Sequence, residues 1–174
     1  MKTFKGTLLA ICMIFGTAVY AQDFNTYDRD RDGNLSQEEF GERNNSTYQD
    51  WDANRDGNID SDEFSETAFN NFDANRDGNL DENEWNDGVG AAGEYLRASD
   101  YDTFDANRDG SLDANEWNEG MRNNNEWFGA FDGNRDGNIT NDEWNQRSFS
   151  QWDTDRDGSI NQNEYDSGNQ INTW

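Results

Sequence analysis

The chain has 174 residues, no histidine, no proline and one cysteine, with 38 acids against 13 bases for a net charge of −25. So acidic a chain is a poor partner for nucleic acid or anionic lipid, both of which are polyanions. Cys12, Lys2 and Lys5 all fall in the first 21 residues, so the remainder offers no imidazole, thiol or amine for the usual catalytic schemes and no disulfide.

Residues 1–21 read as a secretory signal peptide. Lys2 and Lys5 precede an apolar run from about Leu8 to Val19, followed by Val19-Tyr20-Ala21 before the expected cut. The run is short for a bilayer span, which takes roughly 20 residues. Ile11 is the wrong residue before Cys12 for a lipoprotein box, and the apolar run continues past it. The expectation is a secreted or periplasmic protein with no membrane attachment after cleavage. Loss of Lys2 and Lys5 would leave a net charge of −27. Beyond residue 21, Leu, Ile, Val and Phe make up only 18 of 153 residues, a composition expected of disorder. The pattern overrides the composition.

The string Asp-x-Asp/Asn-x-Asp-Gly recurs six times, starting at Asp28, Asp52, Asp73, Asp105, Asp132 and Asp153. Each copy reaches a glutamate at its twelfth position: Glu39, Glu63, Glu84, Glu116, Glu143 and Glu164. Position 6 is always glycine, position 8 always Leu or Ile, and position 4 always arginine. Aromatics stand four and one residues before each loop: Phe24/Tyr27, Tyr48/Trp51, Phe69/Phe72, Tyr101/Phe104, Phe128/Phe131 and Phe149/Trp152. Another follows each glutamate: Phe40, Phe64, Trp85, Trp117, Trp144 and Tyr165. An i, i+3 aromatic pair shares one helix face, so an amphipathic turn enters each loop, and a helix restarts near position 10.

This pattern resembles the EF-hand family of helix–loop–helix calcium proteins, over about residues 23–166. The resemblance implies an all-α, EF-hand-like array with two triads of calcium loops, up to six Ca2+ ions, and no catalytic residue. In such a loop, positions 1, 3 and 5 bind through side-chain oxygens and position 7 through its carbonyl. Position 9 often acts through water, and the position-12 Glu through both oxygens. Carried over, the ligands of loop one are Asp28, Asp30, Asp32, Asn34 and Glu39, with Ser36 at position 9. Loop two has Asp52, Asn54, Asp56, Asn58, Asp60 and Glu63; loop three has Asp73, Asn75, Asp77, Asn79, Asp81 and Glu84. Loop four has Asp105, Asn107, Asp109, Ser111, Asp113 and Glu116. Loop five has Asp132, Asn134, Asp136, Asn138 and Glu143, with Thr140 at position 9. Loop six has Asp153, Asp155, Asp157, Ser159 and Glu164, with Asn161 at position 9. Loop five carries three carboxylates where the others carry four, which makes it the expected weakest site.

Two rival readings are less apt. A merely solvated acidic face needs neither the glycine nor the aliphatic residue at fixed offsets. Dockerin and thrombospondin type 3 loops usually lack a complete entering helix or the final Glu. The position-4 arginines read as exposed charges that offset ligand repulsion, with recognition of an anionic partner as the alternative.

Loop starts are 24, 21, 32, 27 and 21 residues apart, and only the third interval leaves room for separate exit and entering helices. One helix of about 18 Å, counted from Ser61 to Phe72, serves loops two and three, so those loops cannot meet at position 8. Loops four, five and six begin 77, 80 and 80 residues after loops one, two and three, a duplication. The resulting division is a signal peptide at 1–21, a first triad at 22–87, a flexible Gly-rich joint at 88–93, a second triad at 94–166 and a tail at 167–174. Two pairings stay open: first with third loop inside each triad and middle loops across, or loops three and four locally. The expected function is calcium binding and buffering with metal-dependent folding. The alternative is a calcium-dependent interaction or extracellular matrix module with an unidentified protein partner. A sensor is disfavoured, since Met121 is the sole methionine past residue 13 and sensor grooves are Met-rich.

Overall fold

Position 9 of every loop starts a helix by capping it. Ser36, Asp60, Asp113 and Thr140 each accept the N–H of their position-12 glutamate, and that glutamate accepts the cap N–H in return. Asp81 and Asn161 make the same bonds to Glu84 and Glu164. Such a reciprocal box satisfies two of the unpaired donors at a helix start. The computed structural model describes residues 24–92, 95–96 and 100–171; the expected signal peptide lies outside them.

Helix α1 (24–27) enters loop one, which holds strand β1 (Asn34–Leu35). Helix α2 (Gln37–Trp51) leads to loop two with β2 (Asn58–Asp60), and α3 (Ser61–Phe72) to loop three with β3 (Asn79–Leu80). Helix α4 (Glu82–Ala92) is next, then α5 (Tyr101–Phe104), loop four with β4 (Leu112–Asp113) and α6 (Ala114–Asn123). Helix α7 (Glu126–Phe131) enters loop five with β5 (Asn138–Thr140), α8 (Asn141–Trp152) enters loop six with β6 (Ile160–Asn161), and α9 (Gln162–Ile171) closes the described chain. The shared helix expected at Ser61–Phe72 is α3, residue for residue.

The short strands pair antiparallel in a nested order: β1 with β6, β2 with β5, β3 with β4. Position 8 faces position 8 in each pair, Leu35 opposite Ile160, Ile59 opposite Ile139 and Leu80 opposite Leu112, and all six are fully buried. The middle loops pair across the triads and loops three and four pair locally, so each open scheme held one correct pair. Loops one and six, which neither scheme joined, complete the set. Every pair takes one of loops one to three and one of loops four to six, so the two expected triads do not pair within themselves.

Around each pair the aromatics exchange partners. The ring after one loop's glutamate meets the ring before the partner loop: Trp85 with Phe104 at 4.9 Å and Trp117 with Phe72 at 5.1 Å. Trp144 and Trp51 do the same at 5.1 Å, as do Phe40 and Trp152 at 5.2 Å. Of the eighteen framed aromatics only Tyr27 is not buried. The rings of pairs two/five and three/four merge into one core, while Phe24, Leu35, Phe40, Phe149, Trp152, Ile160 and Tyr165 form a smaller one under pair one/six. Helix α2 is registered on α8 by a ladder of asparagines in which Asn44 donates to Asn145, Asn145 to Asn141 and Asn141 to Asn45.

The expectation of a flexible joint is corrected. Residues 88–92 continue α4, with Gly88 and Val89 buried; Gly93 lies outside the described residues. The tail expected from 167 is likewise helical through Ile171. The physical reason is a glycine fifteen residues after the loop start in loops three, four and six, where the exit helix crosses the ring entering its own loop. A Cβ on Gly88 or Gly120 would stand 2.2 Å from the ring of Phe72 or Phe104, and on Gly168 2.4 Å from Trp152. Gly88 permits close packing where a flexible joint was expected, and Gly120 and Gly168 do the same on their own exit helices.

Gly120→Ala should therefore cost about 1–3 kcal/mol through overpacking, although alanine ordinarily favours a helix interior. Gly129→Ala on α7 meets nothing within 4 Å and should gain up to about 1 kcal/mol. Thermal melts of the two variants in one buffer check the contrast.

Candidate metal centre

Within each loop, side-chain oxygens gather the backbone N–H groups that come after them. The position-1 aspartate takes the N–H of position 5 on one oxygen and of position 6 on the other: Asp28 accepts from Asp32 and Gly33, both at 3.1 Å. Asp52, Asp73, Asp105, Asp132 and Asp153 repeat this. All six are buried. Position 3 (Asp30, Asn54, Asn75, Asn107, Asn134 and Asp155) accepts the N–H of position 5. Position 5 (Asp32, Asp56, Asp77, Asp109, Asp136 and Asp157) accepts the N–H of position 7. Asn34, Asn58, Asn79, Ser111, Asn138 and Ser159 thus spend their N–H inward.

The position-12 glutamate draws the two ends of its loop together. Glu63 Oε1 accepts the N–H of Asn54 at 2.8 Å and Oε2 that of Asp60 at 3.1 Å. Glu84, Glu116 and Glu143 do the same, Glu39 reaches Arg29 and Ser36, and Glu164 reaches Thr154, Asp155 and Asn161. The Ser36 N–H is the main cause that holds Glu39 below its ordinary pKa of 4.5. Burial opposes ionisation of Glu143 and Glu164, yet hydrogen bonds from Thr140 and from Asn161 and Asp155 outweigh it and lower both. Glu39, Glu143 and Glu164 are thus favoured as anions.

Two loops bring three acids to one point. One oxygen each of Asp28, Asp30 and Asp32 lie within 4.8 Å of one another, and so do those of Asp153, Asp155 and Glu164. In loops two to five, asparagine replaces an acid at position 3, so the corresponding oxygen belongs to a neutral amide. The donors are hard oxygens throughout, the class that calcium takes. The Asp side chains expected at position 9, Asp60, Asp81 and Asp113, each commit one oxygen to the helix cap, a role that the spacing alone did not reveal.

Position 4 is exposed in all six loops and its backbone is left-handed. Arg31, Arg55, Arg76, Arg108, Arg135 and Arg156 have φ between 59° and 61°, and the glycines at position 6 between 85° and 93°. A side chain in that region costs energy that glycine avoids. The ion pairs of Arg29 with Glu42 and of Arg122 with Asp62 (3.5 Å) involve none of these six arginines.

Between the loops of two pairs stands a tyrosine hydroxyl. Tyr48 Oη lies 2.8 Å from the carbonyl of Gly57 in its own loop and 3.0 Å from that of Ile139 in the partner loop. Tyr101 Oη lies 2.9 Å from Gly110 O and 3.0 Å from Leu80 O. Burial, then the negative charge of loop acids (Asp52 first for Tyr48, Asp105 first for Tyr101), pushes both phenols up to about 12. The signal was visible in the sequence as Tyr against Phe four residues before the loop, but its reach into a partner needed the pairing.

A family model described as EF hand matches residues 21–42, 49–67, 66–89, 102–121, 125–149 and 146–167. Comparison with curated proteins gives no match. Among solved structures the chain is similar to a homolog of programmed cell death 6 protein from Leishmania major Friedlin, at 20% identity over 87% of this chain and 92% of that one. The TM-score of 0.26 is too low to transfer an arrangement. The secreted or periplasmic location expected from residues 1–21 is corrected and not carried further, since that segment lies outside the described residues and the similar structure is of a programmed cell death 6 homolog. Among the described residues no helix is long and apolar enough to cross a membrane.

The fold favours the un-ionised form of Tyr48 and Tyr101. Their contribution to stability is therefore complete below the ordinary value of 10 and is lost as pH rises towards 12. Ultraviolet titration of the folded protein should show two phenols ionising near pH 12 with concurrent loss of helix; ionisation of both near pH 10 would contradict the burial.

Proposed function

Because the chain belongs to the EF-hand family, we propose that it is a calcium-binding protein whose six loops each hold one ion and whose fold depends on them. The observation that carries this reading is one oxygen set repeated six times in one geometry. It comprises a buried aspartate at position 1, oxygens at 3 and 5, an inward-turned position 7 and a glutamate drawn across the loop. Like-charged carboxylates within 4.8 Å, as in loops one and six, repel unless a cation sits among them. Calcium would supply that charge and tie each loop's ends together. The family's fold is a calcium-binding and regulatory one without catalytic chemistry, so the protein is not an enzyme.

Loops one and six rank as the tightest sites, since they have acids at position 3 and leave position 9 to the neutral caps Ser36 and Asn161. Loop five, with Asp132, Asp136 and Glu143 alone, ranks last. The reading is a buffer more than a sensor, because Met121 is buried in the core. Six ions would change the net charge from −25 to −13, relieving the repulsion that opposes compaction. Binding free energy would then serve as folding free energy.

Calorimetry should find about six sites in the unsubstituted chain, and fewer than three would sink the reading. Glu84→Gln should remove one ion, while Asn79→Ala should do little, because position 7 offers only its carbonyl. With excess chelator the chain should be expanded and low in helix, becoming helical as calcium is added. Trp51, Trp85, Trp117, Trp144 and Trp152 are buried in the folded form, so their emission should shift blue over the same range. A cooperative melt and full helix in chelator would overturn the folding half of the proposal.

A further inference from the structure

The three loop pairs share strand pairing, buried position-8 residues and exchanged aromatics, but they differ in one atom. Pair two/five has the Tyr48 hydroxyl between its loops and pair three/four has that of Tyr101. In pair one/six the residues at the same place are Phe24 and Phe149, which have no hydroxyl. Each tyrosine reaches two particular carbonyls. One belongs to the position-6 glycine of its own loop, the peptide unit just before position 7. The other belongs to position 8 of the partner loop, in the peptide unit that follows the one carrying the position-7 carbonyl. The phenol therefore joins the peptide units that flank the expected carbonyl ligands of two different loops.

Resting on the calcium reading above, we propose that Tyr48 and Tyr101 are positioning residues that couple the two sites of their pair, and that pair one/six is without this link. Ordering of one loop fixes the carbonyl to which the hydroxyl is held, which holds the phenol in place and with it the carbonyl of the second loop. The hydroxyl is buried and stays protonated across the working pH range, and its one proton is shared between the two carbonyls as a three-centre hydrogen bond. Each link is built from one side, since the reciprocal positions are Phe128 and Phe69. The coupling it carries is nevertheless mutual, because the effect of site A on site B equals that of B on A.

The test is a cycle in the full-length chain, with calcium binding followed by NMR at the amides of Gly110 in loop four and Gly78 in loop three. Glu84→Gln disables loop three and should weaken loop four by some factor. In the Tyr101→Phe background the same substitution should weaken loop four by a factor roughly fivefold smaller, the worth of one net hydrogen bond. The converse experiment, Glu116→Gln read at Gly78, should lose the same factor. A tyrosine that merely supports the fold would shift both backgrounds equally, so equal factors with and without the hydroxyl would overturn the proposal. Should Tyr101→Phe fail to fold, Tyr48→Phe gives the same cycle at Gly57 and Gly137 with Glu143→Gln, and equal factors there overturn it too. If the glycine amides of the unsubstituted chain do not respond to calcium, it is the calcium reading that fails, and this shows before any tyrosine is altered.

Discussion

Glu63 accepts the N–H of Asn54 with one oxygen and that of Asp60 with the other, and the same closure recurs in every loop. The two ends of each loop are thereby drawn round a set of oxygens by a single carboxylate. The closure also determines where the exit helix begins, because the second oxygen completes the capping box that launches it. Site and helix start are thus one hydrogen-bonded unit. The cost is electrostatic: in loop six the closing Glu164 has an oxygen within 4.8 Å of oxygens of Asp153 and Asp155, and hydrogen bonds and a cation offset that repulsion. Fold and site depend on the same carboxylates, so metal binding and folding are expected to be coupled.

The nested pairing is a consequence of the helices that connect the loops. Helix α3, twelve residues long, holds loops two and three at opposite ends, and α8, also twelve, does the same for loops five and six. A loop at each end of a rigid rod cannot use its rod-mate as partner. The chain instead turns back between loops three and four, and successive loops find partners in reverse order. The asparagine ladder between α2 and α8 and the packing of α3 on α6 run along the inside of that return. Where a loop has an exit helix of its own, as in loops three, four and six, the helix folds directly over the ring before its loop, and only glycine fits at the crossing.

Much of this was legible in the residues. The loops, their flanking helices, the buried aromatic frame and the span of α3 all stem from the twelve-residue period and the i, i+3 rings. The partners did not. Leu35, Ile59, Leu80, Leu112, Ile139 and Ile160 are chemically interchangeable, and nothing local says that residue 35 should meet residue 160. Gly88 is ambiguous for a related reason: a glycine that lets a ring approach looks, in sequence, like a glycine that loosens the chain. Position 9 was read as a ligand because its distance from the loop start suits one, and the structure adds that the same oxygen caps a helix.

The composition argued for disorder, and the structure shows why that argument counts the wrong residues. Aliphatic side chains are few, but each loop pair brings six rings together round two aliphatics, and rings bury more surface per residue than leucine does. The rings meet mostly edge to face or tilted, as Phe64 meets Trp127 at 5.1 Å and Trp85 meets Tyr101 at 5.8 Å. Some rings, such as Phe131 and Trp144, meet across a single loop, but these two contacts and the exchanged pairs form only when two loops are paired, and pairing brings two clusters of acids together. Hydrophobic burial and charge repulsion therefore increase at the same step of assembly. On the proposed metal-dependent folding the core forms as the charge is neutralised, and each loop pair, not each helix, is the smallest unit expected to be stable.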